Sequence, residues 1–188
     1  VSIVFNSHVI LGTRARKTRT KSFQAFSSIN YPVLGVTREG KLIPYLRPEA
    51  AERPRFYDVL DERVALLKLI PGTNPAVFSM LMDMHYRGIV LETFGAGGMH
   101  FLRRNLLDRL GELTAHGVSV VACSQCLYES SDLSIYEVGQ RLLECGVIPG
   151  RDMTTEAAVT KLMWALGQTE DAEIVRDYME RSLAGEMA

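Results

Sequence analysis

The chain has 188 residues, 47% of them hydrophobic and 23% charged, which is ordinary globular composition and enough chain for one substantial core. Its 21 basic and 22 acidic residues leave a net charge of −1, so the molecule as a whole is not built to bind a polyanion. Three cysteines are too few for a disulfide framework, and no apolar run approaches the ~20 residues of a membrane span; a soluble, cytoplasmic protein with no membrane attachment is expected.

Val1 opens directly into the strand-like run VSIVF, as expected of the C-terminal part of a longer polypeptide. Residues 2–11 read as an extended segment. After them comes GTRARKTRTKSF (12–23), in which Arg14, Arg16, Lys17, Arg19 and Lys21 fall within eight positions, and no acidic residue precedes Glu39. A basic arm for nucleic acid, a solvated loop and one functional lysine among bystanders all predict such a string. Residues 31–46 read as a second extended segment with a turn at REGK, where Gly40 follows Glu39. Residues 46–63, with Pro48 and Pro54 among mixed charges and little periodic apolar content, read as a linker.

Beyond it, short apolar runs alternate with amphipathic ones: 65–70, a helix-like 74–86, 88–94, a helix-like 101–116, then 118–124. Strand, helix, strand, helix, strand is the pattern of parallel βαβ units. In the second helix Leu102, Leu106, Leu110 and Leu113 step by four, four and three, and Gly117 ends it. VSVVA is apolar on both faces, as a central parallel strand covered on each side must be. Three more helix-like stretches follow at 135–145, 154–167 and 171–184. Asp152 or Thr154 caps the second of these, and Ile174, Val175, Tyr178, Met179 and Leu183 form the expected buried stripe of the third.

The candidate sites compete with plainer readings. CSQC (123–126) has the spacing of a redox dithiol or half a zinc site, yet no helix start follows Cys123 and no second close pair of Cys or His is present, which favours inert cysteines. FGAGG (94–98) sits between a strand and a helix, where an α/β sheet meets its ligand, but Gly95, Gly97 and Gly98 lack the dinucleotide spacing and a tight turn explains them equally well. His8, His85, His100 and His116 are scattered singly, in no catalytic arrangement.

Four stretches together resemble the type I, cytosolic-type bacterial L-asparaginases: FNSHVILGTRARKTRTKSFQAF, FGAGG, SQC and GVIPGRDMTTEAAVTKL, the last being the most specific. The resemblance implies an α/β fold in which a small parallel-sheet βαβ domain (64–188) follows a linker (46–63), and residues 1–45 are a β-hairpin tail of a larger, missing α/β domain. It implies hydrolysis of L-asparagine, or alternatively L-glutamine, by a homodimer or tetramer, with no cofactor, metal or nucleic acid. The family's catalytic lysine lies a fixed distance after an Asn, a pattern met here by Asn6, Gly12 and Lys17, so Lys17 is the expected catalytic residue and its basic neighbours bystanders. The threonine nucleophile, a second threonine and the aspartate partner of the lysine would lie upstream of Val1. Gly95, Gly97 and Gly98 would form the substrate or subunit-interface loop; Gly98 stands where the family often has an Asn reaching into the neighbouring subunit. Cooperative relatives bind a second asparagine through a threonine, an arginine and a cysteine, whose positions here hold Arg16, Glu92 and Cys126. Glu92 inverts the charge there, and a pairing of Arg16 with Glu92 would fill that pocket. The competing readings are an asparaginase-like domain of a tRNA-dependent amidotransferase, an RNA-binding module using residues 14–21, and redox exchange at CSQC.

Overall fold

Phe5 stands opposite His8 in the first hairpin, leaving only Asn6 and Ser7 to reverse the chain between β1 (Ser2–Phe5) and β2 (His8–Leu11). Both turn residues have positive φ, 45° and 62°, the geometry a two-residue hairpin loop demands. The stretch 2–11 is therefore two strands rather than one, and its turn was hard to read because no Gly marks it. Within the basic string, a single 3₁₀ turn (Gly12–Arg14) leads into β3 (Ala15–Lys17), which pairs antiparallel with β4 (Phe26–Ser28). β5 (Gly35–Arg38) and β6 (Lys41–Pro44) form the hairpin expected at REGK, with Glu39 and Gly40 at φ 50° and 74°. β1, β2, β5 and β6 make one sheet in the order β1-β2-β5-β6.

The computed structural model describes residues 1–47, 55–100 and 106–188. Residues 48–54 of the expected linker and 101–105 of the expected second helix, Leu102 among them, lie outside the described residues. Residues 55–63 form neither helix nor strand.

The second sheet is wholly parallel, in the order β10-β9-β8-β7: β7 (Val64–Lys68), β8 (Gly88–Thr93), β9 (Ser119–Ser124) and the short β10 (Ile148–Pro149). α1 (Ala76–Asp83), α2 (Leu106–Ala115) and α3 (Glu137–Glu144) contribute Phe78, Leu106, Leu110, Leu113 and Leu142 to one core with Ile89, Leu91, Val120 and Ala122. α4 (Thr155–Gln168) and α5 (Ala172–Glu180) contribute Ala158, Leu162, Ala165, Val175 and Met179 to a second core with Val90, Val121 and Cys123. Successive residues of β8 thus go to opposite cores, which is why its apolar run is unbroken. The fold is mixed α/β, a four-stranded parallel sheet beside a hairpin sheet.

Thr154, not Asp152, caps α4, its hydroxyl accepting from Ala157 N at 3.1 Å. α5 stops at Glu180, short of the expected 184, and its buried stripe narrows to Val175 and Met179, while Ile174 and Leu183 are exposed. The residues after α5 turn back instead as a tail: Thr13 Oγ1 donates to Ala184 O and Arg14 Nε to Gly185 O, at 2.9 and 2.7 Å.

Candidate functional site

The basic string does not behave as one patch. Arg14 is 1% exposed and sends Nη1 to Asp152 Oδ2 at 2.7 Å, with its guanidinium over the Tyr31 ring. Arg16 pairs with Glu156 in the first turn of α4 (Nε to Oε1, 3.3 Å), and Arg19 donates to Gln24 O. Lys17, the last residue of β3, is exposed opposite Phe26 and forms no ion pair among the described residues. The expectation that all its neighbours are bystanders fails for Arg14, because a guanidinium buried that deeply needs a carboxylate and carbonyls around it. An open, mainly apolar groove of about 1250 Å³ lies between β1–β2 and α4, lined by Ile3, Leu11, Ala157 and Trp164 among others; Lys17 is not on its wall.

A second cluster sits at the C-terminal ends of the parallel strands, where an α/β sheet presents its loops. Phe94 and Gly98 exchange backbone hydrogen bonds, Phe94 N to Gly98 O at 2.8 Å and Gly98 N to Phe94 O at 2.6 Å, closing the glycine loop on itself. Gly97 has φ 130°, which favours glycine, and a Cβ there would lie 2.4 Å from Leu133 Cδ2, so a side chain would also have to displace the end of Leu133. Ser124 Oγ donates to Gly95 O at 2.7 Å and accepts from Cys126 N, tying the glycine loop to CSQC. Gln125 Nε2 reaches Leu69 O and Glu92 O at 2.7 and 3.1 Å, joining the ends of β7, β8 and β9. Ser124 and Gln125 were not singled out from sequence; the only signal was their position inside a CxxC pattern judged for its sulfurs.

Glu92 is 7% exposed, accepts from Thr155 Oγ1 at 2.8 Å and lies 3.5 Å from Lys68 Nζ. Its partner is Lys68 rather than Arg16, because the start of α4 stands between them: Thr155 faces Glu92 while Glu156 takes Arg16. Among the described residues no hydrogen bond or ion pair joins Arg16, Glu92 and Cys126 to one another. Cys123 is buried, and burial first, then the charge of Glu92, pushes its thiol up to about 12. Burial also raises Cys145, while Cys126 is exposed. A thiol held protonated at neutral pH is a poor nucleophile and a poor metal ligand.

The segments that carry these two clusters each match a sequence family. The profile described as "Asparaginase, N-terminal" matches residues 1–50, and that of the "Glutaminase/Asparaginase C-terminal domain" matches residues 63–179. The chain belongs to the asparaginase family. It is 43% identical over 188 residues to the L-asparaginase of Thermococcus kodakarensis, covering 100% of this chain and 57% of that protein. It is 40% identical over 181 residues to a glutamyl-tRNA(Gln) amidotransferase component of Pyrococcus horikoshii, covering 94% of this chain and 40% of that one. The solved structure of the thermostable L-asparaginase from Thermococcus kodakarensis superimposes with a TM-score of 0.94 at 42% identity, over 100% of this chain and 57% of that one. The chain therefore spans about half the length of the relatives it matches. Among its described residues no helix is long and apolar enough to cross a membrane.

Proposed function

We propose that the protein carrying this chain is an L-asparaginase of the type I, cytosolic-type class. It would hydrolyse L-asparagine to L-aspartate and ammonia through a threonine acyl-enzyme. The observation that carries this reading is the 43% identity to an L-asparaginase along all 188 residues, through both family regions. In this reading residues 1–45 are the end of a larger N-terminal domain holding the nucleophile, 46–63 a linker and 64–188 the C-terminal domain. The gap between the two matched family regions, from 50 to 63, supports that division. The working assembly is a homodimer or tetramer in the cytoplasm.

Lys17 supplies the cation. A threonine hydroxyl is a weak nucleophile near neutral pH and needs a base or a nearby positive charge to lose its proton. The hydroxyl oxygen bonds to the side-chain amide carbon, the C–N bond breaks, and the nitrogen leaves as ammonia carrying the hydroxyl proton. Water then cleaves the ester to free aspartate. An exposed ammonium on a long stem, committed to no carboxylate among the described residues, is available to orient the proton path.

A second reading rests on the 40% identity to a component of a glutamyl-tRNA(Gln) amidotransferase, in which the same ammonia would serve a tRNA-bound acceptor. Ammonia release by the full-length protein, measured separately on asparagine and on glutamine without tRNA or a second protein, tests the choice. Steady turnover of asparagine is expected; ammonia produced only when tRNA and a partner protein are added would replace the first reading with the second.

A further inference from the structure

Lys17 stands at one end of a two-stranded ribbon whose two feet meet at a single residue of the parallel-sheet region. β3 and β4 pair through only Ala15 with Ser28, Arg16 with Ser27 and Lys17 with Phe26. At the base, Ile29 N donates to Arg14 O at 2.8 Å. Just before β3, Arg14 Nη1 donates to Asp152 Oδ2 at 2.7 Å and to Asp152 O at 3.3 Å. Two residues after β4, Asn30 Nδ2 donates to the same Asp152 O at 3.2 Å and to Glu129 O at 3.1 Å, and its Oδ1 accepts from Glu129 N at 2.9 Å. The other carboxylate oxygen of Asp152 accepts from Ala188 N at 3.0 Å.

Beyond Lys17 the ribbon continues through Thr18 N donating to Ala25 O at 2.8 Å, and Phe26 packs edge-on against Phe5. A two-stranded ribbon this short is nevertheless marginal by itself and depends on its attachments for its direction. Its direction is set where it is clamped, and a charge-assisted guanidinium–carboxylate bond is the strongest clamp in this set. Asp152 itself is held by its place two residues before Thr154, the cap of α4. The line of force thus runs from the start of α4 through Asp152 to both feet of the ribbon, and along β3 to Lys17.

We infer that Asp152 is a positioning residue for Lys17, with Asn30 as its partner at the second foot. Asp152 touches no reacting group; it aims the strand whose last residue carries the ammonium. The inference rests on the reading above, in which that ammonium takes part in the reaction.

The test is made in the full-length protein with Lys17→Met, Asp152→Asn and Asn30→Ala, each checked for folding and for the fraction of active sites by single-turnover ammonia release. A small displacement of a reacting group is enough for about a 10²-fold loss. Asp152→Asn is expected to lower kcat at least about tenfold with KM changed less than about twofold. It should also displace the alkaline limb of the kcat–pH profile, the side on which a lysine loses its charge. A residue that only stabilises the fold would lower the active fraction and leave that limb in place. Asn30→Ala should shift the limb in the same direction by less. Full kcat in Lys17→Met overturns the reading of Lys17 and this inference with it. An inactive Lys17→Met beside folded Asp152→Asn and Asn30→Ala proteins with wild-type kcat and limb overturns the inference alone. If Asp152→Asn does not fold, Asn30→Ala, which leaves the ion pair intact, decides by the same criteria.

Discussion

Lys161 Nζ lies 2.5 Å from Glu186 Oε1, and the two side chains are only 6% and 4% exposed. Lys161 also donates to Met179 O and Arg181 O, while the Glu186 carboxylate accepts from the backbone amides of Leu183 and Ala184. The pair pins the C-terminal tail onto α4, and the same tail offers Ala184 O and Gly185 O to the 3₁₀ turn before β3. Removing one partner leaves the other charge buried and uncompensated, so Glu186→Gln should destabilise the protein by about 3–5 kcal/mol at neutral pH, measured by denaturant unfolding.

That pair also sets a pH dependence. Burial raises the Glu186 carboxyl, but the hydrogen bonds from Lys161, Leu183 and Ala184 outweigh it and hold the group below its ordinary 4.5. A carboxylate whose folded pKa is depressed stabilises the fold above its unfolded pKa, and that stabilisation fades as pH falls through the folded value. The stability gap between the native protein and Glu186→Gln should therefore be full at neutral pH and narrow once pH drops below about 4.5. A gap that stays constant into acid would mean that the carboxylate is not ionised in the fold.

In the basic string, the three cations should answer differently to neutralisation. Lys17→Met is expected to lower kcat by at least about 10²-fold with little change in unfolding midpoint, the loss typical of removing a positioned proton-transfer group. Arg19→Met, which gives up one bond to Gln24 O, should change neither. Arg14→Met should lower stability as well as kcat, because it strands Asp152, opens the junction with the C-terminal tail and releases the first foot of the ribbon. Equal losses of kcat across all three, at equal stability, would show that the string works as a field rather than through one group.

Asparagine dependence of the full-length enzyme should be hyperbolic. On the proposed reading, Glu92 puts a buried carboxylate, already bonded to Thr155 and near Lys68, at the position where the resemblance sets a cation of cooperative relatives for the effector's own carboxylate. Arg16 offers no replacement, since Glu156 holds it. Steady-state rates over a wide concentration range provide the check, and a Hill coefficient above one that disappears on changing Arg16 or Cys126 would defeat the expectation.

Thiol labelling should separate the cysteines. At about pH 8 a thiol of ordinary pKa is partly ionised and reactive. Cys126 is exposed and should label in the native protein. Cys123, 1% exposed with its thiol pushed up to about 12, should label only on unfolding, and the raised, partly buried Cys145 should lag behind Cys126. Rapid labelling of Cys123 would mean that the end of β9 opens in solution.

Local periodicity was enough to place three of the four parallel strands, the two-residue β10 being too short to show a pattern. An apolar run such as GIVLET is explained by burial on both faces and by nothing outside itself. The same holds for the leucine spacing of α2 and the turn at Glu39–Gly40, each a short-range consequence of backbone preference. Lys17 was singled out only by the resemblance of its segment to a family pattern, and its catalytic role is a proposal. What the sequence could not show was which charge meets which. Arg14 and Asp152 are 138 positions apart, Asn30 and Glu129 are 99, and Glu92 and Thr155 are 63. Five cations within eight positions look equivalent until folding buries one against a carboxylate, pairs another with the first turn of α4 and leaves the other three exposed. Asp152 and Thr154 are both good caps and the sequence left the choice open; the structure gives that role to Thr154, and tertiary packing turns Asp152 toward the ribbon and the buried guanidinium of Arg14.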